Sequence, residues 1–161
     1  MTTARLFDLA FLLAAPFWAL MILAPGWRGT RRIAASPATV LPVLCVYLAL
    51  AVPVLPELWA AVSSPDPEGF RRFTSLPAGG AAIWAQVIAW DLLVGQWMYL
   101  ESRRLGTSPL VMGPLLLLTV LLSPVGLLLF LALRWFSSRS GGRTRAARAS
   151  APEPTDAPVG H

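Results

Sequence analysis

The sequence predicts an all-α integral membrane protein with four transmembrane helices in an antiparallel bundle, followed by a disordered C-terminal tail. Three observations carry that prediction. Of 161 residues, 56% are hydrophobic, above the roughly 45–50% of globular chains. Only 13% are charged, about half the usual share. The charges are also segregated, falling between long apolar runs and in the last quarter of the chain, which is how membrane proteins distribute them.

The first span is predicted from Leu6 to Ala24 and stops at Pro25-Gly26. Roughly 20 apolar residues at 1.5 Å each cover a hydrocarbon core of about 30 Å, and this run has that length. A cleaved signal peptide is the alternative. The length of the run and the arginines that follow it (Arg28, Arg31 and Arg32) speak against it. The second span is predicted over 38–62 and holds Pro42, Pro53 and Pro56, which a bundle tolerates where neighbours re-satisfy the freed carbonyls. A polar loop, Ser63 to Gly79, leads to a third span over 80–100. The fourth is predicted over 110–133, kinked at Pro114 and Pro124. Residues 1–136 thus form the membrane domain, and 137–161, rich in Arg, Ala and Pro, are expected to be disordered.

Absences narrow the chemistry. His161 is the only histidine and Cys45 the only cysteine, so no metal site, disulfide or dithiol pair is expected. All 13 basic residues are arginine, which rules out a lysine Schiff base. No cofactor motif is present. The lack of asparagine and the abundance of Ala, Pro, Gly and Arg point to a GC-rich, bacterial coding sequence. A net charge of +5 invites a nucleic-acid reading, but the arginines sit in short segments beside apolar spans, where orienting charges belong, so no nucleic-acid partner is expected. With the N-terminus inside, the cytoplasmic side would hold Arg5, Arg71, Arg72, Arg134 and four tail arginines. The other side would hold Arg28, Arg31, Arg32, Arg103 and Arg104. That balance predicts a cell-membrane protein with both termini cytoplasmic. Trp27, Trp59 and Trp135 near span ends fit an interfacial belt.

Polar residues inside the spans are the candidate functional residues. Asp91 falls near the middle of the third span, where a carboxylate costs roughly 2.5–3.5 kcal/mol and must face the bundle or a partner. Antiparallel alternation brings Thr119 and Ser123 to the same depth, and a hydrogen bond from Asp91 to one of them is expected. Asp91 is then either an interhelical link or a proton-transfer or ligand group. Gln86, Trp90 and Trp97 share a face, since eleven residues at 100° each return to within about 20°. With Trp84 they are the candidate ligand-binding residues, able to line a slot for a flat hydrophobic molecule, packing against lipid being the alternative. The same alternation places Asp8, Glu57, Gln86 and Arg134 toward one membrane face, so an Asp8–Arg134 or Glu57–Arg134 pair is expected. Glu101 with Arg103 and Arg104 caps the other end of the third helix.

The chain resembles the abscisic-acid-deficient-four-like family of small membrane proteins, whose plant members are associated with neoxanthin formation. The resemblance rests on Ala15-Pro16-Phe17-Trp18-Ala19-Leu20-Met21, Ala24-Pro25, Tyr47-Leu48, Pro56-Glu57, Trp84, Asp91-Leu92, Gly95 and Ser123-Pro124-Val125-Gly126-Leu127-Leu128. It implies a four-span protein and a carotenoid-like polyene as ligand. If the chain is an enzyme, the resemblance implies redox-neutral opening of a carotenoid epoxide, with a general acid at the epoxide oxygen and a base for the departing proton. Asp91 and Glu101 match acidic positions of the family and are the catalytic candidates it implies. Relatives often carry histidine where this chain has Gln86, and an amide cannot shuttle protons.

Two further functions stand beside this one. A non-catalytic scaffold or lipid-binding protein fits the small size and the missing histidine. A proton-coupled exporter would need an acid deep in the first span, which holds only Asp8 near its start. The bilayer is an expected partner, and a homodimer is an open expectation without a Gly-x-x-x-Gly face to mark it.

Overall fold

The structure is a computed structural model that describes residues 2–149, with side chains described as far as Phe136. Among the described residues every regular element is helical. Helix α1 (Thr3–Leu23) carries Pro16 in its interior and is followed by a short surface helix, α2 (Arg28–Ala34). The second crossing is composite. A 3-10 turn, Pro37–Val40, leads into α3 (Leu41–Ala51), and a second 3-10 turn, Val52–Val54, leads into α4 (Leu55–Ser63). Its prolines explain the segmentation. Pro42 and Pro56 stand in the first turns of α3 and α4, where a helix has no use for the missing N–H, and Pro53 lies in the 3-10 turn between them.

The segment expected to be a polar loop contains a helix, α5 (Pro67–Ser75). Asp66 caps it by accepting from the Gly69 N–H at 2.8 Å. Helix α6 (Pro77–Arg104) is the longest with a fully described course and the hub of the molecule. Its buried face is largely small, with Gly79, Ala81, Ala82, Ala85, Ala89 and Gly95, and meets Ala10 and Ala14 of α1. In a bilayer, helices associate through close packing rather than water exclusion, and small residues permit it. At Gly95 an added Cβ would run into the Trp18 ring.

Three segments are long and apolar enough to cross a membrane: Thr3–Leu23, Pro37–Ser63 and Pro77–Arg104. They correspond to the first three expected spans. Contacts fix their directions. Phe7 stacks on Trp84, Trp18 lies on Gly95 and Tyr99 reaches Pro25, so α1 and α6 run parallel. Gln96 pairs with Thr39 at the start of the composite crossing, and Leu44 and Tyr47 lie beside Ala89 and Leu93, so that crossing runs the other way.

The fourth expected span is not one crossing. After α6, Gly106 adopts φ +67 and the Thr107 N–H donates back to Ser102, closing a tight corner into α7 (Pro109–Leu121). The chain breaks at Leu122 and restarts as α8 (Ser123–Ala149). Helix α8 then travels back alongside α6 in the same direction. Ser123 meets Asp91, Phe130 meets Trp97 and Arg134 meets Glu101. A straight helix over 110–133 would carry Arg134 about 36 Å from its start. Instead Arg134 returns to the end of α6 from which α7 set out. The segment is a helical hairpin folded at its middle. Pro124 is the physical reason: at the second position of α8 it begins a helix rather than kinking one. Gly126 lets the two arms close, because an added Cβ there would collide with Thr119.

In place of the expected four-span antiparallel bundle the structure has three segments long and apolar enough to cross and a helical hairpin. Thr3 and Arg134 lie at opposite ends of the molecule, not on one side as the expected topology had it. Helix α8 continues to Ala149, into the segment for which composition predicts disorder, and residues 150–161 lie outside the described residues.

Candidate functional site at the hairpin tip

The polar residues within the spans fall into three groups along α6. At its middle, half-buried Asp91 faces the hydroxyl of Ser123, the first residue of α8. Of the two residues expected at this depth, Ser123 is the one beside the carboxyl. Thr119 is fully buried one turn earlier but turns away, donating to Leu115 O at 2.8 Å and lying 3.7 Å from the Met98 sulfur. The α8 N-terminus ends at this carboxyl, and a helix N-terminus favours negative charge. An acid at bilayer depth is thereby offset by a hydroxyl and a helix end.

On the next face of α6, Gln86, Ala89, Trp90 and Leu93 line a groove of about 310 Å³ with Leu44 and Tyr47 of α3. It is apolar apart from the Gln86 amide and the Tyr47 hydroxyl, and Trp90 is 60% exposed along it. Gln86 and Trp90 therefore share one groove, as their helical phase predicts. Trp84 and Trp97 do not join them. Trp84 stacks on Phe7 at 5.0 Å, and its indole N–H is buried with no hydrogen-bond partner among the described residues. Trp97 meets Phe130 edge-on at 5.5 Å, with the Arg134 guanidinium 5.9 Å over its ring.

The third group closes the hairpin mouth. Glu101, its side chain only 13% exposed, lies 3.3 Å from Arg134 and 3.5 Å from Arg104. Arg134 is therefore paired with Glu101 and with neither Asp8 nor Glu57. Those two acids lie at the far end, Asp8 beside Phe7 and Pro77, Glu57 beside α5. The expected pairs fail because they assume a fourth crossing that carries Arg134 to that end.

Sequence reasoning missed two polar contacts. Buried Gln96 donates to the Thr39 hydroxyl, and buried Tyr99 donates to Pro25 O at 2.7 Å. The available signal was an amide in an otherwise apolar helix, which demands a partner wherever it is buried. Among the described residues no cluster of three His, Cys, Asp or Glu side chains forms.

The model of the ABA DEFICIENT 4-like family matches residues 5–130, from the start of α1 through most of the apolar part of α8. The chain belongs to the ABA DEFICIENT 4-like family. The match takes in all three crossings, Asp91, the groove and the hairpin tip of this ABA DEFICIENT 4-like protein, and ends before Arg134. No curated protein and no solved structure matches the chain.

Proposed function

We propose that this protein binds a carotenoid-like polyene within the bilayer, in the groove between α3 and α6. One observation carries the reading: an apolar groove walled by Trp90, Leu44 and Leu93, with the Gln86 amide and the Tyr47 hydroxyl as its hydrogen-bonding groups. Small-molecule sites have this character, apolar walls with few polar groups. Membership of the ABA DEFICIENT 4-like family supports a role in carotenoid biosynthesis.

Of the two candidate acids, Asp91 lies at the depth of the groove, next in sequence to Trp90. Glu101 lies ten residues further along α6, about 15 Å away, between two guanidinium groups. If the polyene is transformed, Asp91 is the nearer of the two acids to the groove in depth, although it does not line it, and Glu101 is a positioning residue for the hairpin. A non-catalytic scaffold is favoured by one contrary observation: Asp91 and Glu101 both find partners within the protein.

The two readings separate on purification from the native membrane in mild detergent, followed by extraction of bound pigment. A stoichiometric polyene that is lost in Trp90→Ala and Gln86→Leu supports the groove. Bulk phospholipid alone would leave the scaffold reading standing.

With the hairpin in place, the arginine balance changes. The Glu101 end now holds Arg28, Arg31, Arg32, Arg103, Arg104 and Arg134, against Arg5, Arg71 and Arg72 at the other. By the positive-inside rule this balance supports a cytoplasmic Glu101 end in a cell-membrane protein, with the N-terminus outside.

A further inference from the structure

A second cleft, far from the groove, lies where the composite crossing ends and α6 begins. It measures about 380 Å³ between α4 and α5, and its polar lining is Glu57, Ser64, Asp66 and Arg72, with Ala60 and Phe73 among its apolar walls. Its volume is within the range of about 300–1,000 Å³ found for small-molecule sites. Trp59 on α4, 72% exposed, marks this level as the headgroup zone.

Most of the charge in the cleft is left without a direct hydrogen-bond or ion-pair partner among the described residues. Arg71, one residue away, is clamped to Glu68 by bonds of 3.0 and 2.7 Å. The Arg72 and Glu57 side chains, by contrast, have no hydrogen-bond or salt-bridge partner among the described residues, although both line the same cleft. Asp66 spends one carboxylate oxygen on the Gly69 N–H and keeps the other. One guanidinium and two carboxylates in a single cleft suit neither an anion nor a cation alone. They suit a ligand carrying both signs a few ångströms apart.

We propose that the α4–α5 cleft seats the headgroup of an aminophospholipid. Arg72 takes the phosphate, Glu57 and the second Asp66 oxygen take the ammonium, and the acyl chains leave into the bilayer alongside α4. A primary ammonium fits better than a quaternary one, because carboxylates accept its N–H bonds. An anionic headgroup without an amine would meet two carboxylates and one arginine. The inference is independent of the polyene reading, since the two clefts share no residue.

The test is native mass spectrometry of the full chain in detergent, titrated separately with palmitoyl-oleoyl phosphatidylethanolamine, phosphatidylcholine and phosphatidylglycerol, and with O-phosphoethanolamine. Phosphatidylethanolamine should bind about tenfold tighter than the other two lipids, the equivalent of one charge-assisted hydrogen bond. Arg72→Gln should lose about tenfold for phosphatidylethanolamine, and Glu57→Gln should erase its advantage over phosphatidylcholine. Arg71→Gln, outside the cleft, should do neither, and an unchanged melting temperature would show that the exposed-site variants fold. Equal binding of phosphatidylglycerol, or indifference to Arg72→Gln, overturns the proposal. Binding of O-phosphoethanolamine as tight as that of the lipid would assign the cleft to a soluble ligand instead.

Discussion

The Arg134 guanidinium lies 3.3 Å from the Glu101 carboxylate although a complete apolar segment separates the two in sequence. Cysteines placed at 101 and 134 in a Cys45→Ala background should be joined by a short bifunctional maleimide, because a straight fourth span would hold them more than about 30 Å apart. Failure to cross-link would mean that the segment crosses the membrane. Arg134→Gln should cost about 1 kcal/mol in detergent unfolding, as the pair is half exposed on the arginine side and Arg104 remains.

Topology follows from the same pair. Single cysteines at Thr107 and Ser138 should react with a membrane-impermeant maleimide from one side, and a cysteine at Ser64 from the other. Labelling of Ser64 and Ser138 from a common side would restore the arrangement in which both termini share a compartment.

Glycine substitutions should map the two closest approaches. Gly95→Ala presses a methyl into the Trp18 ring, and overpacking of this kind costs about 1–3 kcal/mol. Gly126→Ala meets the Thr119 Cα at 2.8 Å, a backbone atom that cannot yield without opening the hairpin. Gly113→Ala, with nothing within 4 Å, is the matched control. Melting temperatures that fall equally for all three would show that packing is not the cause.

Asp91→Asn keeps a group able to hydrogen-bond Ser123, whereas Asp91→Leu does not. If Asp91 is only an interhelical link, Asn should unfold with near-native stability and Leu with about 1–3 kcal/mol less. If Asp91 also moves a proton on a bound polyene, turnover should vanish in both while pigment stays bound in Asn.

Glu68 is held below the usual glutamate range, first by the hydrogen bond from Arg71 and further by the Arg72 charge, against the opposing effects of desolvation and Asp66. A group whose pKa is lower folded than unfolded contributes stability above its unfolded value and loses it as pH falls through the folded one. Amide exchange in α5 should therefore speed up, beyond its intrinsic pH dependence, only under acid conditions below the usual glutamate range. Arg71→Gln should remove that change. The pair is exposed, so the effect should be small.

The three crossings were legible because each is a long apolar run, and apolar length is what a bilayer selects. The hairpin was not, for the same reason: 110–133 has the length of a crossing, and hydropathy does not register a fold back. The informative residues were Ser123-Pro124, which read equally as a kink or as the start of a new helix. Asp91 and Ser123 still face each other without a fourth crossing, because a hairpin tip and the middle of a crossing lie at one depth. The Asp8 and Glu57 pairs did not survive, since they required Arg134 at the far end. Helix α5 was hidden by its polarity. Its cap at Asp66 and Pro67 at its first position were present in the sequence but lay outside any apolar run.

The hairpin also gives the molecule a shape. On the Glu101 side of the hairpin tip five helical segments stand side by side, and on the other side three, with α5 packed at their outer end. With each helix about 10 Å across, the two added arms would occupy about 160 Å² in one leaflet, where the other has α5 at its outer end. The protein is a wedge. Inserting it expands one monolayer relative to its opposite, so its insertion energy depends on bilayer curvature and on any imbalance of lateral pressure between the leaflets.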